Sequence, residues 1–230
     1  MNIQTFQLID GARKARGLAV VIDVFRAFTV EPYLISLGAK TIHPVASIDQ
    51  AYELKDKTPN AMLVGEREEQ KPPGFDCGNS PTEAKTLDFK GKTVIHTTSS
   101  GTQGIANAVN ADEILTGSFV NAPAIVRYIQ QQKPENVSLV CMGYASLYPT
   151  EEDTFCAKYI EALLTGKEPD FNNMVNTIRE TSGKRFFVPE KQSHAPESDF
   201  HICLEVGVFD FVLKVEKNKA GLNYVTRINC

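Results

Sequence analysis

The chain has 230 residues, a net charge of −4 and 42% hydrophobic residues. A chain of this length buries about 70% of its unfolded surface on folding, so its core needs no disulfide or metal staple. The sequence lacks the basic stripe of a nucleic-acid binder and any apolar run near the roughly 20 residues of a membrane span.

Residues 17–24 (GLAVVIDV) read as a buried strand, rich in Val and Ile and without polar alternation. Residues 27–37 read as a helix closed by Gly38. Residues 41–45 read as a strand, residues 48–54 begin a helix capped by Ser47, and residues 61–65 are strand again. Residues 66–81 form an irregular loop holding Pro72, Pro73, Gly74, Gly78 and Pro81, a length that in a compact domain points to function. Beyond it the pattern gives strand 92–97, helix 102–109, strand 113–116, helix 122–132, strand 137–141 and helix 151–164. Successive β-then-α units predict an α/β fold with a largely parallel sheet covered by helices on both faces. The last third reads as helix 171–181, loop 186–196 and an antiparallel edge hairpin from 206–215 and 222–227. No linker or repeat divides the chain, so residues 1–230 are expected to form one domain, of one unit or of two intimately packed lobes.

Five cysteines at irregular spacing, without a Cys-x-x-Cys pair, argue for reduced thiols. The N-terminal residues have no signal-peptide core, and the expected location is the cytoplasm. The sequence leaves a homo-oligomer open.

Ligands of open α/β sheets bind at the carboxyl ends of strands. Asp23 ends the first apolar strand, where a metal or a reacting phosphate would meet it, and Arg26 offers a bidentate fork at the next helix start. A structural ion pair is the plain alternative. Phe25 replaces the second Asp of an Asp-x-Asp phosphatase, which excludes haloacid-dehalogenase chemistry. Glu66 and Arg67 repeat the acid-plus-Arg pairing at another strand end. Asn79 and Ser80 could cap a following helix. Cys77, Cys141 and Cys156 lack the Arg of a Cys-x5-Arg phosphatase and are expected as small buried hydrophobes. Thr97, Thr98, Ser99, Ser100, Gly101 and Thr102 bring hydroxyls and free N–H groups to a helix start, a pattern that suits an anion cradle or ordinary N-capping. Ser118 and Asn121 follow the next strand. Glu151, Glu152 and Asp153 open a helix as dipole complements or as ligands for a hard cation. The four histidines show no ligand spacing, and His96 is expected as a packed strand residue.

Together VVIDVFRA (20–27), GER (65–67), GFDCGNSP (74–81), HTTSSGT (96–102), GSFVNA (117–122) and EEDTFCA (151–157) resemble the 2-phosphosulfolactate phosphatase, or ComB-like, family in order and spacing. The resemblance implies a three-layer α/β/α fold and Mg²⁺-dependent hydrolysis of a small substrate carrying phosphate, carboxylate and sulfonate. It also implies a place in sulfonate metabolism, that of coenzyme M. On that resemblance Asp23, Glu66 and Asp153 form the metal-binding acid set, and Asp23, Asp76 and Thr98 take catalytic roles. Arg26 would hold the phosphate and Arg67 the carboxylate or sulfonate. Asn79, Ser80, Thr97, Ser99, Gly101, Thr102, Ser118 and Asn121 would contact the substrate. The chain departs from the family in reading Ser100 where Asn commonly precedes the Gly, Glu151 where Leu is usual, Lys158 where a small residue is typical, and in residues 144–150. The sequence thus leaves two alternatives: a phosphatase for another small phosphorylated hydroxy acid, and a non-catalytic binder of small sulfonates or phosphates.

Overall fold

In the computed structural model, which describes residues 1–230, nine strands form one sheet with helices on both faces. Strands β1 (Asn2–Gln7), β2 (Leu18–Ile22), β3 (Thr41–Pro44) and β4 (Met62–Gly65) alternate with helices α1 (Leu8–Lys14), α2 (Ala27–Ser36) and α3 (Ile48–Lys57). A short helix α4 (Pro81–Ala84) precedes β5 (Thr93–Thr97), α5 (Gly101–Asn107), β6 (Glu113–Gly117), α6 (Ala122–Gln132), β7 (Asn136–Cys141) and α7 (Glu151–Leu164). The remainder comprises α8 (Phe171–Glu180), 3-10 turns at Ser182–Phe187 and Pro189–Lys191, α9 (Glu197–Cys203), β8 (Phe211–Lys217) and β9 (Asn223–Asn229). No helix is long and apolar enough to cross a membrane.

The sheet order is β1-β7-β2-β6-β8-β9-β3-β5-β4. The first four strands are mutually parallel, and so are the last three. The C-terminal hairpin is antiparallel as expected, and it lies between these two halves rather than outside them. The reason is visible in β8. Phe211, Val212 and Leu213 are buried in succession, which requires cover on both faces, whereas an edge strand with one wet face alternates. Three successive antiparallel pairings, β6 with β8, β8 with β9 and β9 with β3, also reverse the second half relative to the first. Sheet twist of about 20–25° per strand turns the five steps from β2 to β5 through roughly 100–125°, so strands reversed by pairing need not point apart.

The all-apolar β2 buries every residue. Val20 and Ile22 pack with α6, α7 and the C-terminal segments on one face, and Ala19 and Val21 pack with α1 and α5 on the other. Close helix packing completes this second face. A Cβ on Gly104 of α5 would stand 2.5 Å from Val21 and 2.6 Å from Met142. Thus α5, which follows β5 of one half, lies against β2 of the other, and it carries the end of β5 to the end of β2. Ser47 caps α3 as expected, accepting from the Gln50 N–H at 3.1 Å.

Candidate active site

Asp23 immediately follows β2 and is 4% exposed. Two helix starts hold it. The Ala27 N–H at the head of α2 donates to its Oδ1 at 3.1 Å, and the Gly101 amide at the head of α5 packs close to the same carboxylate and lowers its proton affinity. A Cβ on Gly101 would lie 2.9 Å from Asp23 Oδ2 and 2.8 Å from the Ala27 Cβ, so this approach requires glycine.

Glu66 follows β4 and is held by the same 97–102 segment. Its Oε1 accepts from the Ser99 N–H at 2.7 Å, and its Oε2 accepts from the Ser99 hydroxyl at 3.1 Å and the Glu69 N–H at 3.0 Å. The donors expected to cradle a substrate anion therefore hold two protein carboxylates. The hydroxyls behind them are spent internally. Thr98 and Thr102 cap one another, Thr102 Oγ1 accepting from Thr98 N–H at 2.9 Å and Thr98 Oγ1 from Thr102 N–H at 3.3 Å. Thr97 Oγ1 accepts from Arg67 at 2.7 Å.

Asp23, Glu66, Arg26, Asn79, Ser99 and Ser100 meet in one pocket of about 180 Å³, whose wall also includes Phe25, Glu68, Glu69, Gly143, Tyr144 and Arg185. Carboxyl ends of both sheet halves thus converge on it, where the sequence suggested one common edge. The other expected residues lie outside this wall. Asp76 caps the Leu63 N–H at 2.8 Å and sits 3.6 Å from Lys55, with a side chain 39% exposed. Asp153 is buried behind Asp23, its Oδ1 on the Val24 N–H and its Oδ2 on the Gly143 N–H, both at 2.8 Å. Both its oxygens are committed to fixing the chain on either side of the pocket. Ser80 caps α4 through the Glu83 N–H at 3.1 Å. Ser118 and Asn121 form a reciprocal capping turn and are fully buried. Arg67 donates to Glu66 O at 2.6 Å and Ala46 O at 3.2 Å besides Thr97, and burial lowers its proton affinity.

Arg26 donates to Asp199 Oδ2 at 2.6 Å in an ion pair with almost no solvent access. Asp199 on α9 also accepts from Ser80 Oγ and the Thr82 N–H, both at 3.0 Å. Neither Asp199 nor Arg185, Glu69 and Tyr144 carried a sequence signal, because their partners lie far off in the chain and no motif spacing links them. His96 is packed as expected, its Nδ1 3.0 Å from Glu31 Oε1 in full burial. Cys77, Cys141 and Cys156 are buried free thiols, and burial raises the pKa of each.

The pocket is short of positive charge. Burial pushes the Asp23 carboxyl up to about 7, the charges of Glu66 and Glu152 push the same way, and the Ala27 and Gly101 amides oppose them. Burial also raises Glu152 and Asp153. No three His, Cys, Asp or Glu side chains gather as a metal cage. Mg²⁺ typically takes only one or two protein carboxylates, with waters and substrate phosphate completing its shell. The donor pair Asp23 and Glu66, in a pocket where burial raises the proton affinity of Asp23, fits such an ion.

The family described as 2-phosphosulpholactate phosphatase matches residues 3–218, well past the motifs that end near residue 157. The chain is similar to probable 2-phosphosulfolactate phosphatases of several organisms. It is 32% identical to that of Thermotoga petrophila over 84% of this chain and 87% of the relative. It is 29% identical to that of Caldanaerobacter subterraneus over 93% of both chains. Against that of Carboxydothermus hydrogenoformans the identity is 43% over 71% of this chain and 68% of the relative.

Proposed function

The chain belongs to the 2-phosphosulfolactate phosphatase family of phosphoric monoester hydrolases, and we propose that it converts 2-phosphosulfolactate and water to sulfolactate and inorganic phosphate with Mg²⁺ held by Asp23 and Glu66. The observation that carries this reading is Asp23: a carboxylate at a strand end, fixed by two helix starts, whose affinity for a proton is raised among other acids in a pocket. An anionic substrate would be repelled by Asp23, Glu66, Glu68 and Glu69 unless a cation enters with it. Bound there, Mg²⁺ supplies charge neutralisation at the phosphoryl oxygens.

The residues of the chain do the positioning. Ser99 holds Glu66, and Ala27 and Gly101 hold Asp23, so neither carboxylate has to reorganise when charge moves from phosphorus to the leaving oxygen. Asp153 fixes Val24 and Gly143, the chain segments that flank the pocket. In the reaction a water oxygen bonds to phosphorus, the bond from phosphorus to the C2 oxygen breaks, and that oxygen takes up a proton. Phosphate release from 2-phosphosulfolactate, measured with Mg²⁺ and with EDTA, tests the reading. Release that needs Mg²⁺ supports it. Binding of sulfolactate without phosphate release under any divalent cation would return the chain to a non-catalytic binder, and faster release from another phosphorylated hydroxy acid would reassign the substrate.

A further inference from the structure

Arg185 lies in the 3-10 turn between α8 and α9 and reaches the pocket wall from the C-terminal third of the chain. Three arginines stand near the site, and they differ in what they have left to give. Arg26 is committed to Asp199. Arg67 is committed to three protein oxygens and does not line the pocket. Arg185 meets Glu69 Oε1 through Nε at 3.2 Å and donates a long bond from Nη2 to Phe25 O at 3.3 Å, and no protein group accepts from its Nη1. Its side chain is 16% exposed. Aromatic rings brace the guanidinium without consuming donors: Phe186 at 5.1 Å, Tyr144 at 5.5 Å and Phe25 at 5.7 Å. Glu69 has a second cation, Lys191 at 3.4 Å, so it keeps a partner if Arg185 turns to a ligand.

Asn79 lines the same pocket and the neighbouring cavity, which has no hydrophobic residue in its wall. Its side chain is buried, with an Oδ1 that has no hydrogen-bond partner. The Asn79 Oδ1 can only accept, so an anion does not satisfy it, and the part of this side chain that serves an anionic ligand is its Nδ2, which donates. The three anions of the substrate differ in what they want. The carboxylate on C1 neighbours the phosphate on C2, and both oxygens suit a hard cation. The sulfonate on C3 is a weak base and a poor ligand for such a cation, and it accepts well from a planar guanidinium.

We propose that Arg185, with Asn79, binds the sulfonate of the substrate and sets the preference of the enzyme for sulfonated over plain phosphomonoesters, an assignment that rests on the phosphatase reading above. The comparison substrate is 2-phospholactate, which lacks only the sulfonate. kcat/KM is measured on both for the unaltered protein, Arg185→Gln and Arg185→Lys. Arg185→Gln should lower kcat/KM on 2-phosphosulfolactate by about ten- to a hundredfold, mainly through KM, the worth of one charged hydrogen-bonding group. The loss on 2-phospholactate should be at least about tenfold smaller by the same reasoning. Arg185→Lys keeps the charge and loses the fork, and should fall between; it also carries the test if the Gln variant does not fold. Equal losses on the two substrates overturn the proposal, as does an unaltered protein that hydrolyses both equally well, and both results leave the phosphatase reading standing. If neither substrate releases phosphate, the phosphatase reading fails, and calorimetric titration of sulfolactate decides the subsite: weaker binding to Arg185→Gln supports it, and equal binding overturns it.

Discussion

Gly101 stands where two needs meet, since its amide must lie close to Asp23 and its Cα must pass close to Ala27. With a Cβ that would come within 2.9 Å of Asp23 Oδ2 and 2.8 Å of the Ala27 Cβ, Gly101→Ala must push the head of α5 away from α2. Overpacking of this kind costs about 1–3 kcal/mol, and misplacing a reacting group by about 1 Å can cost a hundredfold in rate. The expected outcome is a kcat lower by about two orders of magnitude with a smaller loss of thermal stability, read by steady-state kinetics and calorimetry. An alanine variant with normal kcat would show that Asp23 need not stay where the two helix starts hold it. Much at this scale was legible. The Gly in the hydroxyl-rich segment, the Asp at a strand end and the Glu after Gly65 all stood out, because each is an unusual residue at a boundary that apolar periodicity locates. Their partners were less legible. The segment looked like a cradle for a substrate anion, and what its donors hold are Asp23 and Glu66.

Helix α9 shows what a local reading misses among elements. Its seven residues, ESDFHIC, are too few for a periodic signal, yet Asp199 on it joins Arg26 before α2, Ser80 before α4 and the Thr82 N–H. One carboxylate thereby ties the C-terminal third to the pocket wall. Removing its charge would strand a buried guanidinium, and breaking a buried pair from one side costs about 3–5 kcal/mol. Asp199→Asn should accordingly lower unfolding free energy by about that amount in urea titration. It should also weaken activity by freeing Arg26. A loss within about 0.5 kcal/mol, the size usual at ordinary surface positions, would mean that Arg26 finds another partner and that α9 does not clamp the site. Elements with strong periodicity or unbroken apolar runs, such as α6, α7, β2 and β7, fell where the pattern put them. Strand β1 and helix α1 were not anticipated at all, since NIQTFQ is a largely polar edge strand and the helix that follows has seven residues.

At the scale of the whole molecule, the sheet joins two parallel halves through an antiparallel hairpin, and the order of its strands is a long-range property that no local pattern encodes. That arrangement brings acids from separate halves together, and the burial of Asp23 there, with the charges of Glu66 and Glu152 beside it, makes folding stability depend on pH and metal. Asp23 has a folded pKa of about 7 against an ordinary 3.8. The folded, metal-free protein therefore binds this proton more tightly than the unfolded chain, so stability falls as pH rises from about 4 to about 7 and stays low above that. Below about pH 4 both states are protonated and the effect vanishes. Mg²⁺ on Asp23 and Glu66 would replace the proton and return the lost stability, by about 2.7 kcal/mol at a hundred times its Kd. For a domain of this size, that is a rise in Tm on the order of 5–10 °C. The shift should be full at pH 8 and smaller at pH 5.5, where the proton competes for Asp23. In Asp23→Asn the penalty above pH 7 should be gone, so the metal-free variant should lose less stability than the parent between pH 5.5 and pH 8, and added Mg²⁺ should move its Tm little. Thermal melts of both proteins at the two pH values, with Mg²⁺ and with EDTA, give all of these readings. A Mg²⁺ shift as large in the Asn variant as in the parent, or larger at pH 5.5 than at pH 8, would remove Asp23 from the metal site.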